Sequence, residues 1–149
     1  MPELAKNKKV LFDYDILEKF EAGLVLTGQE TKSVRLGNIS LKGTYVTFHA
    51  GSAYLTNAHI SKYKPAGKLE DYDPERSRRV LLKAKQIRYL QGKSQEKGLT
   101  IVPISVYTRQ RFIKLEIAVA RGRHTYDKRE VIKKRDLDKE VKRTLKISN

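Results

Sequence analysis

Leu99-Thr-Ile-Val-Pro-Ile-Ser-Val-Tyr107 and Phe112-Ile-Lys-Leu-Glu-Ile-Ala-Val-Ala120 are two strand-length runs placed around the polar tetrapeptide Thr108-Arg-Gln-Arg111. Both are rich in β-branched residues and the second alternates cleanly, so they read as two strands around a turn. Pro103 cannot donate to a ladder and therefore marks an edge or a bulge. Upstream, period two recurs: Tyr45 and Thr47 fall opposite Val46 and Phe48, His49-Ala-Gly-Ser52 makes a turn, and Ala53-Tyr-Leu-Thr56 returns, which is a β-hairpin. Residues 10–26 alternate loosely, with Ala22-Gly23 interrupting, and read as extended chain. These segments predict a mainly β fold with short helices.

Two helix signals interrupt the strands. Thr27 is followed three residues later by Glu30, the spacing at which each side chain satisfies the other's backbone N–H, so a short helix over about 28–36 is expected, closed by Gly37. Residues 61–72 read as a basic loop. At Asp73-Pro74 an acid that accepts from orphan N–H groups precedes a residue that has no N–H to leave unsatisfied, and a second helix is expected from 74 to about 92. It would gather Val80, Ile87 and Leu90 on one side and crowd Arg76, Arg78, Arg79, Lys83, Lys85 and Arg88 on the remainder, with Glu75 as its lone acid.

The whole chain has 149 residues, 32 Lys+Arg against 17 Asp+Glu, and a net charge of +15. One domain of this size carrying so much charge points to a polyanionic partner, nucleic acid before an acidic membrane. Residues 121–149 differ in kind: they hold eleven Lys/Arg against five Asp/Glu, and Leu137, Val141 and Leu145 form only a narrow apolar stripe. The division expected is a β domain over 1–122 and a basic tail over 123–149, disordered when free and helical when bound. Cysteine is absent, which removes disulfides, Cys-based zinc sites and thiol nucleophiles. A charged N-terminus with no apolar run behind it is not a signal peptide, and no stretch is long enough to span a membrane, so a cytoplasmic location is expected.

Catalytic patterns are missing. His49, His59 and His124 are isolated, and no HExxH, Walker, GxGxxG or GxSxG motif occurs, so neither an enzyme nor a metal or cofactor site is expected. The basic residues after Asp73-Pro74 are the first candidate contacts, because Arg76, Arg78, Arg79 and Lys83 supply phosphate donors with hardly any i,i+4 acids to pair them. The eight tyrosines are the second: Lys62-Tyr63-Lys64 and Tyr126-Asp127-Lys128-Arg129 set aromatic faces among cations, a combination suited to unpaired RNA. Glu21, an acid on a basic protein, either accepts from base amines, orders a neighbouring Arg, or forms an ordinary salt bridge.

Four blocks in register resemble the small protein B (SmpB) family, the bacterial partner of transfer-messenger RNA: residues 20–37 (Phe-Glu-Ala-Gly-Leu-Val-Leu-Thr-Gly-Gln-Glu-Thr-Lys-Ser-Val-Arg-Leu-Gly), residues 73–82, Glu96-Lys-Gly-Leu-Thr-Ile-Val-Pro103, and Ala120-Arg-Gly with Tyr126-Asp-Lys-Arg-Glu130. The resemblance implies a closed antiparallel barrel related to the oligonucleotide-binding fold. It implies binding of the tRNA-like domain of transfer-messenger RNA and its delivery, with elongation factor Tu and GTP, to stalled ribosomes for peptide tagging. Carried over by position, it marks Asn7, Lys8, Glu21 and Leu81 as RNA-binding. It also assigns Tyr126, Asp127, Lys128 and Arg129 to a tail, with Lys133, Lys134 and Arg135 beyond them, that meets small-subunit ribosomal RNA in the decoding centre and the empty mRNA channel. Thr31, Val34 and His124-Thr125 depart from the family pattern. The alternative of a different class is a constitutive ribosomal protein, which a resistance to high-salt washing would reveal.

Overall fold

The computed structural model describes residues 3–67 and 71–123. In chain order the elements are β1 (Glu3–Lys6), α1 (Lys8–Asp13), β2 (Tyr14–Leu24), α2 (Gly28–Arg35), β3 (Ile39–Ser40), β4 (Tyr45–His49), β5 (Ser52–Thr56), β6 (His59–Ile60), a 3-10 turn (Lys64–Ala66), β7 (Arg78–Leu81), α3 (Ala84–Ser94), β8 (Leu99–Arg109) and β9 (Phe112–Gly122). Seven strands pair antiparallel in the order β1-β8-β9-β2-β7-β5-β4, while β3 and β6 form a separate two-stranded ladder.

The β8–β9 hairpin is the spine. Its ladder runs from Leu99↔Arg121 to Arg109↔Phe112, and the bulge between Pro103 and Ser105 falls at the proline that cannot donate. The extra residue reverses the phase of β8, which lets both Ile101 and Val106 enter the main core while Val102 packs with Val10 and Ala120 in a smaller cluster under α1. Leu55, Ile60, Leu90, Leu115 and Ile117 are fully buried in the main core, each contributing about 1.5–3 kcal/mol by leaving water. Bulges in the β1–β8 and β2–β9 ladders add curl, and β4 packs against β8. Among the described residues, however, no ladder joins edge strand β1 to edge strand β4, so the closed barrel implied by the resemblance is not found. The two edges are only four and five residues long.

Two helix expectations change. Asn7 starts a helix that runs into the stretch read as extended, taking residues 10–13 of it: its Oδ1 accepts from Val10 N at 3.2 Å, and six residues of α1 follow, too few to display a 3.6-residue period. The helix expected over 74–92 is instead a turn, a strand and a shorter helix. Asp73 Oδ1 does accept from Glu75 N at 2.9 Å, but this closes an Asx turn. Arg78–Leu81 then alternates buried and exposed, the period of a strand paired with β2 and β5, and α3 begins only at Ala84. By contrast the capping box of α2 is formed as expected, with Thr27 Oγ1 accepting from Glu30 N at 3.2 Å and Glu30 Oε1 from Thr27 N at 3.0 Å. His59 pairs with Ser40 of β3.

Candidate nucleic-acid interface

Strand register brings the outward side chains of four strands together. Gly23 of β2 lies opposite Leu81 of β7 on one side and Lys114 of β9 on the other, and Lys114 lies opposite Tyr107 of β8. Two residues back along β2, Glu21 lies opposite Glu116, and at the hairpin end Arg109 lies opposite Phe112. Cross-strand partners share a face, so Glu21, Leu81, Tyr107, Arg109, Phe112 and Lys114 occupy one surface. Gly23 is a notch in it: a Cβ there would stand 3.3 Å from Leu81 Cβ, so the missing side chain is what lets Leu81 lie against β2.

Glu21 is the anchor of this surface. Its carboxylate accepts from the Tyr107 hydroxyl, and both of its oxygens accept from Arg109 Nη1, at 2.9 and 3.2 Å. The Tyr107 hydrogen bond is the main reason its pKa lies below the usual 4.5; the Arg109 and Lys114 charges add to it, against a desolvation penalty that acts the other way. Burial, then the bond to Glu21, raises the Tyr107 phenol in turn. Of the roles open to Glu21, ordering a neighbouring arginine is therefore the one the geometry displays. Arg109 is held in this pair with its side chain still half-exposed.

Apolar and cationic groups adjoin this pair. Phe112 is 65% exposed, far more than a phenylalanine needs to be, and Lys114 Nζ stands 5.8 Å from its ring centroid. Between Phe112, Leu81 and α2 lies a cleft of about 380 Å³, with Thr31 and Arg35 on its far wall. The turn at its rim is strained: Gln110 and Arg111 have φ of 49° and 74°, the left-handed region that glycine and asparagine occupy more easily. Arg35 Nη2 donates to Arg111 O at 2.6 Å and fastens that turn. Changing Gln110-Arg111 to Asn-Gly should therefore stabilise the domain by about 1 kcal/mol in urea unfolding.

The sequence-derived site residues fall into three groups. Glu21, Leu81, Arg79, Lys8 and Lys83 are exposed, the first two on the surface just described and Arg79 on β7 opposite Tyr54. Asn7 and Arg78 are buried. Asn7 donates to Leu41 O and Pro103 O, both at 3.1 Å, so it ties three segments together from inside. Arg78, read as a phosphate donor on a helix face, instead points into the core, where Nε and Nη2 donate to Glu30 Oε2 at 2.8 and 2.6 Å and Nη1 to Ala58 O at 2.7 Å. Arg76 also donates to Glu30 and keeps a side chain 37% exposed. Tyr126, Asp127, Lys128, Arg129, Lys133, Lys134 and Arg135 lie outside the described residues. Sequence reasoning missed Tyr107, Arg109, Phe112 and Lys114, which come beside Glu21 only through the pairing of β2 with β9 and of β9 with β8.

Among the described residues no group of three or more His, Cys, Asp or Glu could hold a metal, and no helix is long and apolar enough to cross a membrane. The family model described as SmpB protein matches residues 4–147. Two relatives named SsrA-binding protein are similar over 143 residues and 96% of this chain: that of Ligilactobacillus salivarius at 48% identity, covering 92% of the relative, and that of Sulfurihydrogenibium sp. at 49%, covering 93%. A solved structure described as "tmRNA-SmpB: a journey to the center of the bacterial ribosome" matches with a TM-score of 0.68 at 37% identity, covering 86% of this chain and 93% of the other.

Proposed function

Since the chain belongs to the SmpB protein family, we propose that it binds the tRNA-like domain of transfer-messenger RNA and carries it to stalled ribosomes for trans-translation in the cytoplasm. The observation that carries this reading is the surface around Glu21, where a tethered Arg109 and Lys114 offer cations beside the exposed apolar groups Leu81 and Phe112. Such a surface grips phosphates with its charges and lays apolar side chains against splayed bases, which favours folded, looped RNA over smooth duplex. The relatives' name and the ribosome complex of the structural neighbour support the same partners. In this reading elongation factor Tu with GTP joins through the RNA, and the basic segment after Gly122 occupies the mRNA channel and decoding centre. The protein itself makes and breaks no bond.

The test is equilibrium binding of the full chain to transfer-messenger RNA and to an elongator tRNA, each at low and at near-physiological salt. Both bind at low salt, because phosphate neutralisation is indifferent to sequence. Retention of transfer-messenger RNA alone at the higher salt is the expected result. Parallel loss of the two would reduce the +15 charge to a general polyanion grip and favour a resident ribosomal protein.

A further inference from the structure

A second cleft lies on the other side of α2. Helix residues one position apart diverge by about 100°, so while Thr31 and Arg35 line the cleft beside Phe112, Lys32 and Leu36 turn toward the segment after β6. There Leu36 faces Lys62, Tyr63, Lys64 and Pro65 across a space of about 530 Å³. Its walls are fixed to each other: Ser33 Oγ donates to Ser61 O at 2.5 Å, and Ser61 N donates to Asn38 O at 3.0 Å.

The chemistry of this cleft is one-sided. Lys62 and Lys64 line it and Lys32 stands beside its Tyr63; among the described residues no acid lines it and none of these three lysines sits in an ion pair. Lys32 Nζ stands 5.6 Å from the centroid of the Tyr63 ring, so a positive charge is poised beside an aromatic face. Leu36 is 66% exposed, a large apolar side chain left in water at the mouth of the cleft. An aromatic ring, an apolar wall and unpaired cations within one concavity are what a single unpaired nucleotide needs: the base stacks and its flanking phosphates are neutralised.

We propose that this cleft is a second RNA-contacting surface, separated from the Glu21 surface by α2, and that it takes an unpaired nucleotide with its base against Tyr63 and its phosphates against Lys62 and Lys64. The inference rests on the RNA-binding reading above. With two surfaces flanking one helix, the domain holds two RNA segments at once, and α2 is the ridge between them.

The test uses the full isotope-labelled chain titrated with a single-stranded RNA hexanucleotide and, separately, with a duplex, following amide shifts. The single strand is expected to shift Leu36 and Ser61–Lys64 saturably, the duplex much less. Tyr63→Leu should lower affinity about tenfold and Tyr63→Phe should restore it, since stacking needs the ring and not the hydroxyl. The pair Lys62→Met with Lys64→Met, exposed positions that leave the core untouched, should flatten the salt slope by about 1.4 and keeps the proposal testable if Tyr63→Leu does not fold. Shifts confined to the Glu21 surface, unchanged affinity in these variants, or tighter binding of an acidic hexapeptide in the cleft would overturn it. If the cleft takes the hexanucleotide while the chain shows no preference for transfer-messenger RNA, the earlier reading fails and this one stands.

Discussion

Glu30→Ala is expected to destabilise the domain by about 3–5 kcal/mol, because it strands the fully buried Arg78 guanidinium without its counter-charge. On a domain of ordinary stability that is a large fraction of the whole, and the thermal midpoint should fall by about 10–20 °C. Glu30 joins three elements: it caps α2 through Thr27, holds β7 through Arg78, and restrains the 72–76 turn through Arg76, while Arg78 reaches on to Ala58 O. Burial pushes its pKa up, but the hydrogen bonds from Arg76, the Thr27 N–H and Arg78 outweigh that and hold it below 4.5. A carboxylate depressed in the folded state stabilises fully above its unfolded pKa and loses that contribution as pH falls through the folded one. Acid unfolding monitored below pH 4.5 should therefore be steeper in the wild type than in a Glu30→Met, Arg78→Met double variant. Replacing both partners should also be far milder than removing one, within about 2 kcal/mol of wild type at neutral pH. Equal losses for the single and double variants would show that packing, and not the buried charge pair, holds this junction.

The same ion pair explains where sequence reading succeeded and where it did not. The β8–β9 and β4–β5 pairs and the capped α2 were legible because each is a local pattern: alternation about a short turn, or Thr27 and Glu30 three residues apart. Arg78 was not, since a charged residue reads as solvent-facing unless its partner is known, and Glu30 stands 48 positions away. Once Arg78 is placed inside, Arg78-Arg-Val-Leu81 has the period of a strand; with it outside, the same four residues continue a helix. Within the site, Glu21 and Leu81 were reached by resemblance, and what gives Glu21 its role, Tyr107 and Arg109, lies across the sheet in β8. Their meeting depends on β2 pairing with the far strand of the spine hairpin, a topological fact that alternation alone does not contain.

Glu21→Ala should weaken binding of transfer-messenger RNA about tenfold at near-physiological salt while leaving the unfolding midpoint nearly unchanged, as expected for a substitution at an exposed position. The sign is the informative part. Removing an acid from a protein of net charge +15 raises its attraction for any polyanion, so a simple charge grip predicts tighter binding. Weaker binding excludes a bare charge grip, and the geometry supplies its cause: Glu21 holds Arg109 with both carboxylate oxygens and docks the Tyr107 hydroxyl. That role makes the residues dependent on one another. Arg109→Ala should cost about as much as Glu21→Ala, and the double variant little more than either alone, because each single change already dismantles the same unit. Tyr107→Phe removes one of the restraints on Glu21 and should produce a smaller loss of the same kind. If Glu21 instead touches the RNA directly, its substitution will still weaken binding when Arg109 is already alanine, and the two effects will add. Measured across this four-protein cycle, the coupling separates a positioning carboxylate from one that reads bases, with the salt dependence reporting how many phosphates Arg109 and Lys114 neutralise.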